Sequence, residues 1–267
     1  MISSKERKAL FFDVDGTLIS EMGKYIPEST VKALGKAMEK GHMVFINSGR
    51  TYCLLDFLKK EIPVDGFLCG CGTQIIVHGE SRFHKTIDRK RGREIKEAIL
   101  ACNLDGCLEA ETDVYFQRGR SRIETVRELK HRMVHEYGLS VTYGWEEDCY
   151  DYDKFCVFCD ENSDVERFLA SVPEMEAIDR GEGMYECVPR GCSKGAAVEW
   201  VLKEYGISLD HAYVFGDSTN DIPMFSCVPN RIAMGVHAPE LLAFQPFVTK
   251  TVEDGGIAYA MEQLGII

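Results

Sequence analysis

The chain has 267 residues, 45% of them hydrophobic and 28% charged, an ordinary globular composition that can bury a full core in one domain or two. Its formal net charge of −12 counts against a nucleic-acid or membrane-surface partner, because such binding draws its affinity from clustered Lys and Arg. The opening residues carry no apolar stretch long enough for a signal peptide, and no later span approaches ~18 apolar residues, so a cytosolic (cytoplasmic) protein is expected.

In chain order, the apolar run 9–12 stops at Asp13, and its lack of alternation predicts a strand buried on both faces. Pro27 precedes a helix in which Val31, Leu34 and Met38 keep three-to-four spacing, with Gly41 as the stop. A second buried strand, 43–46, ends at Asn47. Residues 81–187 read differently, as two or three helices among short mixed strands. Ile123, Val126, Leu129 and Met133 mark one helix, and Ser163 with Glu166 has capping-box spacing for another. Residues 114–116, 155–159 and 184–188 read as strands of a second, smaller, half-exposed sheet. Ser193 then sits at an N-cap before Ala196, Ala197, Val198, Val201 and Leu202, and Gly206 ends that helix. A third buried strand, 212–215, ends at Gly216. The fold class expected is α/β, a doubly wound, Rossmann-like parallel sheet built from 1–81 and 188–267, with an α/β domain of residues 82–187 inserted between hinges near Ser81 and Val188.

In doubly wound sheets ligands bind where strands end, so the polar residues after each run should converge. Asp13-Val14-Asp15-Gly16-Thr17 places two carboxylates around one residue in a turn. A carboxylate nucleophile needs an electrophile whose charge has been neutralised, and a metal-bound phosphate meets that need, although Asp-x-Asp is also ordinary turn chemistry. Ser48-Gly49-Arg50 lets backbone N–H groups approach an anion, or is a simple turn. Lys194 lies in the first turn of a helix, where a cation is unfavourable unless an anion sits beside it; a solvated Lys is the alternative. Gly216-Asp217-Ser218-Thr219-Asn220-Asp221 offers two carboxylates and a carboxamide, a set suited to Mg²⁺ with a substrate phosphate, with helix capping as the competing role for one carboxylate.

In order, residue type and placement these four pieces resemble the motifs of the haloacid dehalogenase (HAD) superfamily. The likeness extends to Ala233-Met234-Gly235 and Glu253-Asp254-Gly255-Gly256, and the insertion between the second and third motifs is similar to that of the Cof-type phosphatases. The resemblance implies that Asp13 attacks phosphorus to form an aspartyl-phosphate, and that Asp15 protonates the leaving group and later activates water. It implies Mg²⁺ as cofactor, held by Asp13, the Asp15 carbonyl and Asp217, with Asp221 supporting the metal from outside its ligand set. Ser48, Gly49, Lys194 and Asn220 would bind phosphoryl oxygens, and Arg50 is a candidate substrate contact. The inserted domain would be the cap that selects the substrate. That substrate is a small phosphate monoester, with sugar phosphates first and nucleotide or cofactor phosphates as alternatives; oligomeric state stays open. A phosphomutase with the same intermediate and a non-catalytic phosphate-ligand sensor are the rival readings.

Two departures stand out. Cys71 replaces the usual Asn of an Asn-Gly-Ala stretch, and a thiol cannot reproduce carboxamide hydrogen bonds. Val236-His237 replaces Asn-Ala after Met-Gly. The 11 cysteines read as reduced thiols packed as small hydrophobes, and Cys156 with Cys159, three apart in an extended run, should point to opposite faces. Tyr143, Trp145, Tyr150 and Tyr152 among acidic residues read as a solvated acidic loop with partly buried aromatics.

Overall fold

The computed structural model describes residues 7–20, 25–119 and 121–267; the first six residues, part of the opening stretch read for a targeting signal, lie outside these. The first region holds β1 (Ala9–Phe12), α1 (Glu28–Glu39), β2 (Met43–Asn47), α2 (Leu58–Glu61), β3 (Gly66–Cys69), β4 (Gln74–Val77) and β5 (Glu80–His84). The middle holds α3 (Arg89–Ala101), β6 (Asp105–Glu109), β7 (Val114–Phe116), α4 (Glu124–Tyr137), β8 (Lys154–Phe158), α5 (Val165–Ser171), β9 (Met175–Asp179) and β10 (Met184–Pro189). The last region holds α6 (Lys194–Tyr205), β11 (Ala212–Gly216), α7 (Ile222–Cys227), β12 (Asn230–Ala233), β13 (Phe247–Val248) and α8 (Gly256–Gln263). Two compact units result: residues 1–50, 55–83 and 192–267 form one, and 51–54 with 84–191 form the other.

The first unit is an eight-stranded sheet in the order β13-β12-β11-β1-β2-β3-β4-β5, parallel from β13 to β3 and antiparallel at the β3–β4 hairpin. Strand β1 has β11 on one side and β2 on the other, so the chain order reverses there, the position at which α/β sheets open a crevice. Register matters most. Phe12 is level with both Phe215 and Ile46, so the next residues, Asp13, Gly216 and Asn47, end three adjacent strands at one height. Phe11, Phe45 and Val214 pack beneath Val198 and Val201 of α6 and Met224 and Phe225 of α7, which fixes α6 against the sheet.

The second unit is a five-stranded sheet in the order β7-β6-β8-β10-β9, antiparallel throughout. Here the half-exposed reading fails for β6, β7 and β8, which are buried along their whole length, and holds for the edge strand β9 and the start of β10. The reason is that both faces are covered. Leu108, Phe155 and Val157 pack on Ile95 and Ile99 of α3 and Phe168 of α5, while Cys107, Phe116 and Cys156 pack on Val126 and Met133 of α4. The capping expectation also shifts by one residue, because Asp164 caps α5 by accepting from Arg167 N. Ser163 is already engaged, its hydroxyl donating to the Asn103 carbonyl at 2.7 Å and accepting from Asp160 N. Trp145 and Tyr152, expected to be partly buried, are fully so, and only Tyr143 of that group is exposed.

Candidate active site

Lys194 opens α6 directly after Ser193, whose hydroxyl accepts from Ala196 N at 3.0 Å as the N-cap. The Asn47 carboxamide donates to the Lys194 carbonyl at 3.0 Å and so ties the tip of β2 to this first turn. The lysine side chain is 1% exposed and its ammonium donates to Asp13 Oδ1 at 2.6 Å, Asp221 Oδ1 at 2.6 Å and Asn220 Oδ1 at 3.1 Å. The cation at a helix N-terminus is thus matched by protein carboxylates.

The loop after β11 is built around Asp221, which is wholly buried. Its Oδ2 accepts from Asp217 N at 2.9 Å and Ser218 N at 3.1 Å, and its Oδ1 accepts from Lys194. Both oxygens are engaged, so Asp221 is a brace for the loop rather than a free ligand. That bracing explains Gly216, since a Cβ there would lie 2.5 Å from the Asp221 carboxylate. Asp217 is held by Thr17, whose hydroxyl donates to Oδ1 at 2.9 Å. Gly16 approaches the same carboxylate so closely that a Cβ would sit 2.4 Å from Asp217 Oδ2, and its φ of +80° independently favours glycine.

Asp15 and Ser48 meet a different partner. The Asp15 carboxylate is exposed and accepts a two-pronged hydrogen bond from Arg50, at 2.8 Å from Nε and 2.7 Å from Nη2. Ser48 is buried, and its hydroxyl accepts from Arg50 N at 3.1 Å. Gly49 lies half-buried between them. Of the residues singled out from sequence, Asp13, Lys194, Asp217, Asn220 and Asp221 form one cluster, whereas Asp15 and Ser48 are organised by Arg50 at its edge.

Asp13, Asp217 and Asp221 present carboxylate oxygens within 4.8 Å of one another. Three carboxylates face one ammonium, and the imbalance appears in their acidity. Burial pushes Asp13 up to about 7 against the pull of Lys194. Burial, then the charges of Asp13 and Asp221, push Asp217 up to about 8. Burial alone would lower Lys194, but the two carboxylates outweigh it and hold the ammonium charged. Such a surplus of hard oxygen donors suits Mg²⁺, and Asp13 and Asp217 are the side chains with oxygens to offer it.

Thr17, Asn47 and Gly16 were given no role by sequence reasoning. The signal for Asn47 was available: a carboxamide closing an apolar strand must find a partner. A pocket of about 410 Å³ adjoins Asp217 and Gly16, and Val236, His237 and Glu253 line it. His237 is tied back by Nδ1 to the Met234 carbonyl at 2.6 Å, and the Ser20 hydroxyl bonds Glu253. Cys71 adopts φ 55°, the left-handed conformation that Asn tolerates better than Cys.

Carboxylates gathered around a buried lysine at the tips of parallel strands define a phosphate-processing enzyme on a doubly wound α/β core. The chain belongs to the haloacid dehalogenase-like hydrolases, matching that family over residues 10–261. Within it the chain is of the Cof type, as the insertion between the second and third motifs implied. It is 29% identical to YkrA of Bacillus subtilis (strain 168) over 266 residues, covering 98% of this chain and 99% of that one. It is 27% identical to the HMP-PP phosphatase of Klebsiella pneumoniae (strain 342), covering 90% and 88%. Among solved structures it is similar to the HAD subclass IIB sugar phosphatase BT4131, with TM-score 0.79, 26% identity and coverage of 97% and 100%. No helix among the described residues is long and apolar enough to cross a membrane.

Proposed function

We propose that this enzyme is a phosphatase that hydrolyses small phosphate monoesters with Mg²⁺, using Asp13 as nucleophile. The observation that carries the reading is the Lys194 ammonium held between Asp13 and Asp221, 2.6 Å from each, with Asp217 in the same cluster. A buried carboxylate fixed beside a cation is oriented for attack, and the same cation offsets negative charge on a phosphoryl group arriving there.

Asp13 forms a bond to phosphorus as the bond to the leaving oxygen breaks, and that oxygen takes a proton from Asp15. Water then attacks the aspartyl-phosphate, gives its proton to Asp15, and releases inorganic phosphate with Asp13 restored. Lys194, Ser48, the Gly49 N–H and Asn220 hold the phosphoryl oxygens. Asp13, Asp217 and the Asp15 carbonyl would hold Mg²⁺, which would supply charge neutralisation for the phosphate. Asp221 keeps Asp217 and Lys194 in place, and Arg50 orients Asp15. Residues 82–187 act as the cap that chooses the leaving group, which we propose to be a sugar before a nucleotide or cofactor. The similar structure named as a sugar phosphatase supports sugars first, and the relative named as an HMP-PP phosphatase keeps the other phosphate esters as alternatives.

The test is a panel of phosphate esters assayed for released phosphate with Mg²⁺ and with chelator. Turnover of one or more esters, lost with chelator and in Asp13→Asn and Asp217→Asn proteins that still fold, is the expected result. Full activity in either variant overturns the roles, and transfer to a second hydroxyl without phosphate release would make the protein a mutase.

A further inference from the structure

Two cysteines of the second unit meet where the sequence pattern did not place them. Cys156 and Cys159, three apart, pack in the two opposite layers of that unit. Cys156 instead stands directly across from Cys107 on the paired strands β8 and β6, and two rungs along, hence on the same face, Lys154 stands across from Glu109. All four are buried. Cys156 Sγ donates to Glu109 Oε1 at 3.2 Å, and one ligand atom from each of Cys107, Cys156 and Glu109 lies within 4.8 Å of the others. Both thiols are free.

We propose that Cys107, Cys156 and Glu109 form a binding site for one thiophilic divalent cation of the zinc type, independent of the phosphatase chemistry. The donor set selects the ion. Two sulfurs and one carboxylate oxygen suit a borderline-soft metal, whereas Mg²⁺ wants a full shell of oxygens. Charge favours the same ion. Lys154 lies 3.1 Å from Glu109 Oε2 and also bonds Glu186, which in turn accepts from Arg180 Nε at 2.9 Å. Those two cations and two carboxylates cancel, so an added buried charge would be costly. As each sulfur–metal bond forms, its S–H bond breaks and the proton passes to solvent; a divalent ion that replaces two thiol protons leaves the balance unchanged. Lys154, by engaging Oε2, leaves Glu109 Oε1 turned to the sulfurs, the kind of outer contact that orients metal ligands. Three protein donors are one short of a closed tetrahedral set, so reversible binding is expected.

The experiment uses the full chain, stripped with chelator, kept reduced with a phosphine, and titrated with Co²⁺ both in the folded state and during refolding, because the sulfurs are buried. A thiolate-to-cobalt charge-transfer band that saturates at one equivalent, is displaced by Zn²⁺, and is lost in Cys107→Ser/Cys156→Ser is the expected result. Glu109→Gln should weaken Co²⁺ binding while keeping the sulfur band at high cobalt. Absence of the band in the wild-type protein under both conditions overturns the proposal. So does a band of full amplitude in the double variant, which would assign it to other cysteines. Should the double variant fail to fold, as judged by circular dichroism, the Cys107→Ser protein carries the same test. The phosphatase assignment is read separately by ester turnover, to which none of these residues is assigned.

Discussion

Thr17 donates its hydroxyl to Asp217 Oδ1 at 2.9 Å, joining the turn after β1 to the loop after β11 across 200 residues of sequence. The bond orients one carboxylate of the proposed Mg²⁺ pair, and Gly16, having no side chain, lets that carboxylate lie this close to the turn. Thr17→Val keeps the shape and removes the donor. The Mg²⁺ concentration for half-maximal phosphate release should rise by about 10- to 100-fold, and stability should fall by about 1 kcal/mol. Thr17→Ser should restore the wild-type Mg²⁺ dependence; an unshifted Mg²⁺ curve for the Val variant would remove Thr17 from the metal's support.

Lys194→Met tests the cluster from the other side. It leaves Asp13 and Asp221 buried next to each other with no ammonium between them. Removing one partner of a buried ion pair costs about 3–5 kcal/mol, so urea unfolding should show a loss of that size. Turnover should vanish with it. Lys194→Arg should not rescue, because a planar guanidinium cannot occupy the point at which three oxygens converge on one nitrogen.

Arg50 holds Asp15 by two hydrogen bonds, and its backbone N–H also reaches Ser48 Oγ. If Arg50 orients the proton carrier, Arg50→Ala should lower kcat by about tenfold or more, since small misplacements of a reacting group are that costly. The pair is partly exposed, so stability should change by less than about 1 kcal/mol. A kcat unchanged while KM rises would instead make Arg50 a substrate contact.

The core and its cluster were legible because each of β1, β2 and β11 is an uninterrupted apolar run that stops at a polar residue or glycine, and level register does the rest. The second unit was less so, for an electrostatic reason. Strand β6 reads Asp-Gly-Cys-Leu-Glu and β8 begins with Lys, sequences that look half solvated, yet Glu109, Lys154 and Glu186 are buried because, together with Arg180, they neutralise one another. Helix α3 was hidden likewise, since four of its first five residues, from Arg89 to Arg93, are basic and only its far turns carry apolar residues for the core. Pairing between distant charges is what a single sequence does not display. Ser163 against Asp164 is the small-scale version, where a hydroxyl and a carboxylate competed for one cap and a distant carbonyl, that of Asn103, decided it.

That same buried charge pairing sets the acid limit of the second unit. Burial alone would raise the Glu186 carboxyl, but Lys154 and Arg180 outweigh it and bring it down to about 2, from an ordinary 4.5. A carboxyl whose folded value is depressed adds stability that is complete above the unfolded value and is lost as pH falls through the folded one. The window is therefore from about pH 4.5 down to about pH 2, and its size follows from about 1.4 kcal/mol per unit, roughly 3 kcal/mol in all. Glu186→Gln should lose that dependence, so its unfolding free energy should change less than wild type between those two pH values. It should also be the less stable protein at pH 7, where Lys154 and Arg180 lose their shared partner. Denaturant melts of both proteins at several pH values decide it, and parallel curves for the two would show that Glu186 is not the group that titrates.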